Sequence, residues 1–140
     1  MADSLSLLTR DWLTKAQHDL QNARIVGATP DGPLDTAIYH CQQAAEKSLK
    51  GWLAWRGRIV VKTHDLVRLL EDAVDDKPDF ARFEEAADIL TPYVSAFRYP
   101  GLTNDPMPSR EEFDAALRHA QSIYDFVLSL LPAEAQPKRA

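Results

Sequence analysis

The stretch LDTAIYHCQQAAEKSLKGWLAWRGR, residues 34–58, contains no proline and reads as one helix of about six turns. At about 100° per residue, Leu34, Ile38, Cys41, Ala45, Leu49 and Trp52 fall on one stripe. Ala37, Ala44, Ser48, Gly51 and Trp55 form a second face, mostly of small residues, beside it. A helix with two such faces must be covered on two sides, so it belongs at the centre of whatever the chain builds. The remaining side is a polar strip of Tyr39, His40, Gln43, Glu46, Lys47 and Lys50, with Glu46 and Lys50 ordered for an i,i+4 pair. Such a strip is either a solvated face or a set of ligand contacts.

Around this helix the apolar periodicity predicts four more, giving helices near residues 4–26, 34–56, 64–75, 79–98 and 110–131. The first carries Leu5, Leu8, Trp12, Ala16, Leu20, Ala23 and Val26 at helical spacing. GATPDGPLD, residues 27–35, then reverses the chain, with Pro33 suited to the first position of the central helix. Gly57 is a C-terminal cap, RIVVK (residues 58–62) a connector, and Thr63 the cap of the third helix with Asp65 in its first turn. Phe80, Phe83, Ala87, Leu90, Val94 and Phe97 trace the fourth stripe, which Pro92 either kinks near Ile89 to Tyr93 or breaks, with Thr91 recapping. Ser109 and Glu112 form a capping box for the last helix, and Pro132 stops it. With no credible strand pair, the expectation is an all-α fold: an up-and-down antiparallel bundle of four to five helices over residues 1–131, with a flexible tail at 132–140.

The chain of 140 residues is sized for one domain, and its single cysteine, Cys41, excludes a disulfide framework. Cys41 lies on the core stripe and reads as an inert buried thiol. The N-terminal MADSLSLLTRDW lacks a signal-peptide pattern and no 18 apolar residues follow one another, so a cytoplasmic protein with no membrane span is expected. His18, His40, His64 and His119 show no metal-ligand spacing, the glycines form no phosphate loop and GxSxG is absent; neither metal nor cofactor is expected. The net charge of −5 argues against a general nucleic-acid binder. It conceals an asymmetry: residues 47–68 are mostly basic, whereas Glu71, Asp72, Asp75, Asp76, Asp79, Glu84, Glu85 and Asp88 dominate the next stretch. That polarity suits an anionic ligand, a partner protein or head-to-tail association.

Four segments in order, WLTKAQHDLQNA (12–23), YHCQQAAEKSLKGWL (39–53), KTHDLVRLL (62–70) and FRYPG (97–101), give the chain its resemblance to the HEPN family, the higher eukaryotes and prokaryotes nucleotide-binding domain. The resemblance spans nearly the whole chain. It implies a dimerising helical bundle that binds a nucleotide or RNA and acts with a nucleotidyltransferase partner in a toxin–antitoxin or stress system. Several branches of the family are metal-independent endoribonucleases that pair Arg, four to six residues, then His across a dimer. Here the arginine of the RYP segment is Arg98, and Thr103, Asn104 and Asp105 stand where the histidine is sought. Arg58 and His64 fit by count alone, and His64 also suits a packing role against the central helix.

The candidate ligand contacts are therefore His40, Gln43, Lys47, Lys50, Lys62, Arg98 and Tyr99. His40, Gln43, Lys47 and Lys50 share one helix face, where a phosphate could meet two ammonium groups. Each has a plainer reading: Lys47 and Lys50 as solubilising charges, and Arg98 as the partner of an acid such as Glu46. The alternatives to a binding module are a metal-independent endoribonuclease and a helical protein-interaction bundle without a nucleotide.

Overall fold

The computed structural model describes residues 3–138. Five α-helices carry the fold: α1 (Ser4–Ala28), α2 (Leu34–Trp55), α3 (Leu66–Asp76), α4 (Glu84–Leu90) and α5 (Arg110–Leu130). Among the described residues there is no strand. Caps fix several of the ends. Asp3 Oδ1 accepts from Ser6 N at 2.7 Å to open α1, and Ser109 and Glu112 exchange the two bonds of a capping box at α5. Pro33 takes the N-cap place of α2, one residue earlier than the sequence suggests. Gly57, at φ +69°, closes the other end of α2, its N–H bonding to Ala54 and that of Arg58 to Leu53. This pair of bonds satisfies two orphan carbonyls and needs a left-handed residue that glycine supplies without strain.

α2 is the central element. α1 crosses it antiparallel at the closest approach, where a Cβ on Gly51 would stand 2.2 Å from Leu13 Cδ2 and 3.1 Å from Trp12 Cβ. The small face read from the sequence is thus the seat of α1. α5 covers α2 from the other side and runs antiparallel to α1, as Arg24 to Gln121 and Gly27 to Arg110 show. The connector 56–65 carries the chain back along α2, so α3 runs in the same sense as α2 before α4 returns. An aromatic cluster closes this end: Phe80 meets Trp52 at 5.4 Å and Phe126 at 5.0 Å edge-on, and Phe83 meets Phe126 at 5.3 Å. Such pairs contribute about 0.5–1.5 kcal/mol each beyond the area they bury.

Several expectations are corrected. Asp65, not Thr63, caps α3: its Oδ1 accepts from Val67 N, while Thr63 Oγ1 accepts from Asp65 N, and α3 opens at Leu66. The fourth segment is no single helix over 79–98. It is a 3-10 turn (Pro78–Phe83), α4 and a second 3-10 turn (Thr91–Val94), because Pro92 cannot donate into an α-helical ladder. Thr91 does not recap its own segment; its hydroxyl donates to Ala87 O and accepts from Leu66 N, tying α4 to the start of α3. In the first half of α1 the buried residues are Ser6, Thr9 and Leu13, leaving Leu5 and Leu8 exposed, Leu8 at 48 %. The tail is held as far as Gln136. Ala135 is buried, and Gln136 Nε2 donates to Leu128 O and Leu131 O. The last two residues of that expected tail lie outside the described ones.

Candidate ligand site on the central helix and the Arg98 loop

Placing a carboxylate in the interior costs several kcal/mol unless cations or donors surround it. Two carboxylates meet that demand on the polar side of α2. Glu46, 3 % exposed, accepts from Lys50 Nζ at 3.1 Å on one oxygen; the other accepts from His64 Nδ1 at 2.9 Å and Gln42 Nε2 at 3.2 Å. Gln42 also donates to His64 O at 3.0 Å, so side chain and backbone of His64 are both fastened to α2. Asp19 of α1, 7 % exposed, accepts from His40 Nδ1 at 2.8 Å and Lys47 Nζ at 2.7 Å. The strip is therefore an internal network and not a solvated face. Gln43, Glu46 and Lys50 are buried, and Lys50 lies 5.7 Å from the Trp12 ring centre.

Of the seven candidate contacts, the structure brings His40, Gln43, Lys47 and Lys50 together as expected, but with their charges and donors turned to Asp19, Gln42 and Glu46. Lys62 is exposed on the connector, apart from that network's bonds. Arg98 and Tyr99 stand at a different place. The Arg98 guanidinium donates to Val94 O at 2.9 Å and lies 4.3 Å from the Tyr39 ring centre and 5.3 Å from that of Tyr99. No carboxylate lies within ion-pair distance of it among the described residues; the expected pairing with Glu46 does not form, since Glu46 already serves Lys50 and His64. Asp35, Phe97, Arg98, Tyr99, Gly101 and Thr103 line a recess of about 280 Å³ here.

Arg58 and His64, the pair that fits the family spacing by count, go to separate partners. Arg58 donates to Asp75 Oδ2 at 2.6 Å and to Asp72 O at 3.2 Å, whereas His64 belongs to Glu46. In the loop after Arg98, the Thr103 hydroxyl donates to Asp105 O, and Asp105 Oδ1 accepts from Met107 N. Asp105 thus serves the turn. Cys41 is fully buried, and burial, aided by the nearby charge of Asp19, pushes its thiol up to about 12 from 9.0. It is protonated and shielded at neutral pH, as its stripe position implied.

Three residues of these clusters were not singled out from sequence as contacts. Gln42 sits beside the strip and Asp35 at the start of α2. Asp19 had a visible signal, because an acid amid Ala16, Leu20 and Ala23 points toward the same neighbour as they do and needs a cation there.

The family model of the HEPN domain matches residues 9–130. TT1696 from Thermus thermophilus, known from its crystal structure, is 35% identical with a TM-score of 0.75, over 88% of this chain and 98% of that one. ST0689, an archaeal HEPN homologue, is 25% identical with a TM-score of 0.70, over 87% of this chain and 96% of its own. No curated protein matches.

Glu46→Ala removes the anion that justifies a buried Lys50 and releases the His64 ring, leaving only its backbone carbonyl tied to α2 through Gln42. Urea denaturation should show a loss of about 3–5 kcal/mol, the range for breaking a buried pair from one side. Glu46→Leu combined with Lys50→Met should recover most of it. A loss under about 1 kcal/mol, the scale of a surface ion pair, would contradict the network reading.

Proposed function

The chain belongs to the HEPN domain family, and on that premise we propose that it is a nucleotide- or RNA-binding helical module that works as a homodimer. The observation that carries the binding half of this reading is Arg98. It is an exposed guanidinium with no carboxylate partner among the described residues, flanked by two tyrosine rings and opening on a recess. A guanidinium offers a phosphate two parallel N–H donors, and a base can stack on Tyr99, which is itself exposed. Asp35, in the same recess, is an acceptor suited to ribose hydroxyls. Lys47 and Lys50, by contrast, must abandon buried carboxylates, Asp19 and Glu46, to reach a ligand.

Binding is favoured over cleavage by the same contacts. Metal-independent RNA cleavage needs a proton-transfer group beside the cation. Arg98 is followed by Thr103, Asn104 and Asp105, and Arg58 and His64 are bound to different acids. Self-association is supported by the uncovered stripe of α1, where Leu5 and Leu8 are exposed and Trp12 is half-buried. Partnership with a nucleotidyltransferase in a toxin–antitoxin or stress system is supported by the sequence resemblance. Co-purification from the native host tests it: recovery of the chain without such a partner counts against it. Among the described residues no helix is long and apolar enough to cross a membrane.

Arg98→Ala should weaken binding of a fluorescent oligoribonucleotide or nucleotide by about 1.5–3 kcal/mol, the span for a charge-assisted hydrogen bond. Lys47→Ala should change it less than Arg98→Ala does. Equal losses in the two variants would return the site to the α2 strip, and no binding by the native protein would remove the reading. Light scattering at tens of micromolar, a typical working range for weak association, should show a dimer that Leu8→Glu converts to monomer. A native monomer, or a dimer indifferent to Leu8→Glu, would contradict the α1 interface.

A further inference from the structure

The acidic part of the sequence surrounds an apolar cleft that the binding reading leaves unused. Val67, Leu70 and Val74 of α3 and Ala87 of α4 form the floor of an opening of about 480 Å³. On α3 these residues follow one another at three- and four-residue spacing, so the floor is a strip along the helix. Leu70 and Ala87 belong to the closed core, while Val67 and Val74 keep part of their surface in water. Four carboxylates stand around them, Glu71 and Asp75 on α3 and Glu84 and Asp88 on α4.

The arginines nearest this acidic run are already engaged by its members. Arg56 pairs with Asp76 at 3.1 Å, Arg58 with Asp75 at 2.6 Å and Arg68 with Asp72 at 3.6 Å. The charge asymmetry of the sequence is thereby closed on itself at the connector. What remains is an acidic surplus at the cleft. Of the four carboxylates, only Asp75 has a cation within ion-pair distance among the described residues. A second copy of the chain is poorly matched to it, because these arginines are occupied and the exposed stripe at Leu8 and Trp12 carries one acid and one base, Asp11 and Lys15, with no basic surplus to set against four carboxylates.

We propose that the cleft between α3 and α4 docks a basic amphipathic helix of a different protein. Aliphatic side chains at helical spacing would cover Val67, Leu70 and Val74, and flanking Lys or Arg would meet Glu71, Glu84 and Asp88. This is helix-in-groove recognition with charges at the rim. The cleft shares no lining residue with the Arg98 recess, so the docked helix and a nucleotide occupy separate surfaces.

Fluorescence anisotropy with the full chain tests this, using a labelled peptide of about 18 residues, long enough for a marginal helix, with leucine on one face and lysine and arginine beside it. The expected result is that the peptide binds, and that a scrambled peptide of equal composition binds at least about tenfold more weakly. The variant Glu71→Lys/Asp88→Lys should lower affinity by about tenfold or more, while Glu111→Lys/Glu134→Lys, with the same change in net charge, should alter it less than about threefold. All four positions are exposed, and unchanged thermal melting confirms that both variants are folded. The proposal is overturned by scrambled peptide binding as tightly as the ordered one, by similar losses in the two variants, by full competition from spermine at equal charge, or by no binding.

Discussion

Asp19 and Glu46 are carboxylates almost without water, and each is matched by an ammonium and an imidazole on or against α2. The arrangement of the chain depends on these contacts. Through Asp19, α1 is set against α2 by bonds from His40 and Lys47. Through Glu46, the connector is fastened at His64, which places Asp65 to cap α3. Apolar faces alone allow helices to slide by a turn and still bury similar area. A buried ion with directional partners does not. The close approach at Gly51 then sets how near α1 comes, and Leu13 fills the space that a side chain would take.

Internal pairing also decides which charges are left for other molecules. The lysines of α2 and the arginines of the connector have acids of their own, so much of the formal charge asymmetry is neutralised internally, and two open features stand out. One is a cation, Arg98, between aromatic rings; the other is an acidic margin around an apolar cleft. They have opposite sign and are built by different elements. An acidic chain can thus carry a local site for an anion, because the field at a partly shielded guanidinium is set by its neighbours more than by the total.

Periodicity and capping residues made the helices legible, with α2's two packing faces, the Gly57 end and the Ser109 box all readable from the residues, and a packing role for His64 against the central helix among the alternatives they allow. Polarity was the misleading signal. A helical wheel equates a polar strip with solvent, and Glu46 and Lys50 are buried because their partners come from a segment eighteen residues away in the case of His64 and from the adjacent turn in the case of Lys50. The same reasoning failed in α1, where Ser6 and Thr9 face inward while Leu5 and Leu8 do not. Which side of a terminal turn is covered depends on the element packed there, and the tail at Ala133–Ala135 was read as free although it packs on α1. Arg98 was legible as a candidate, but its freedom from acids was not, since that is a property of the fold.

If α2's cations are held internally, the ligand-binding face is the Arg98 loop. Backbone amide NMR of the labelled protein, titrated with a short oligoribonucleotide, tests it most directly. Shifts are expected to concentrate at Asp35, Tyr39 and residues 97–103, with His40 through Lys50 otherwise little changed. Shifts concentrated at Gln43, Lys47 and Lys50, with the Arg98 loop unmoved, would contradict it.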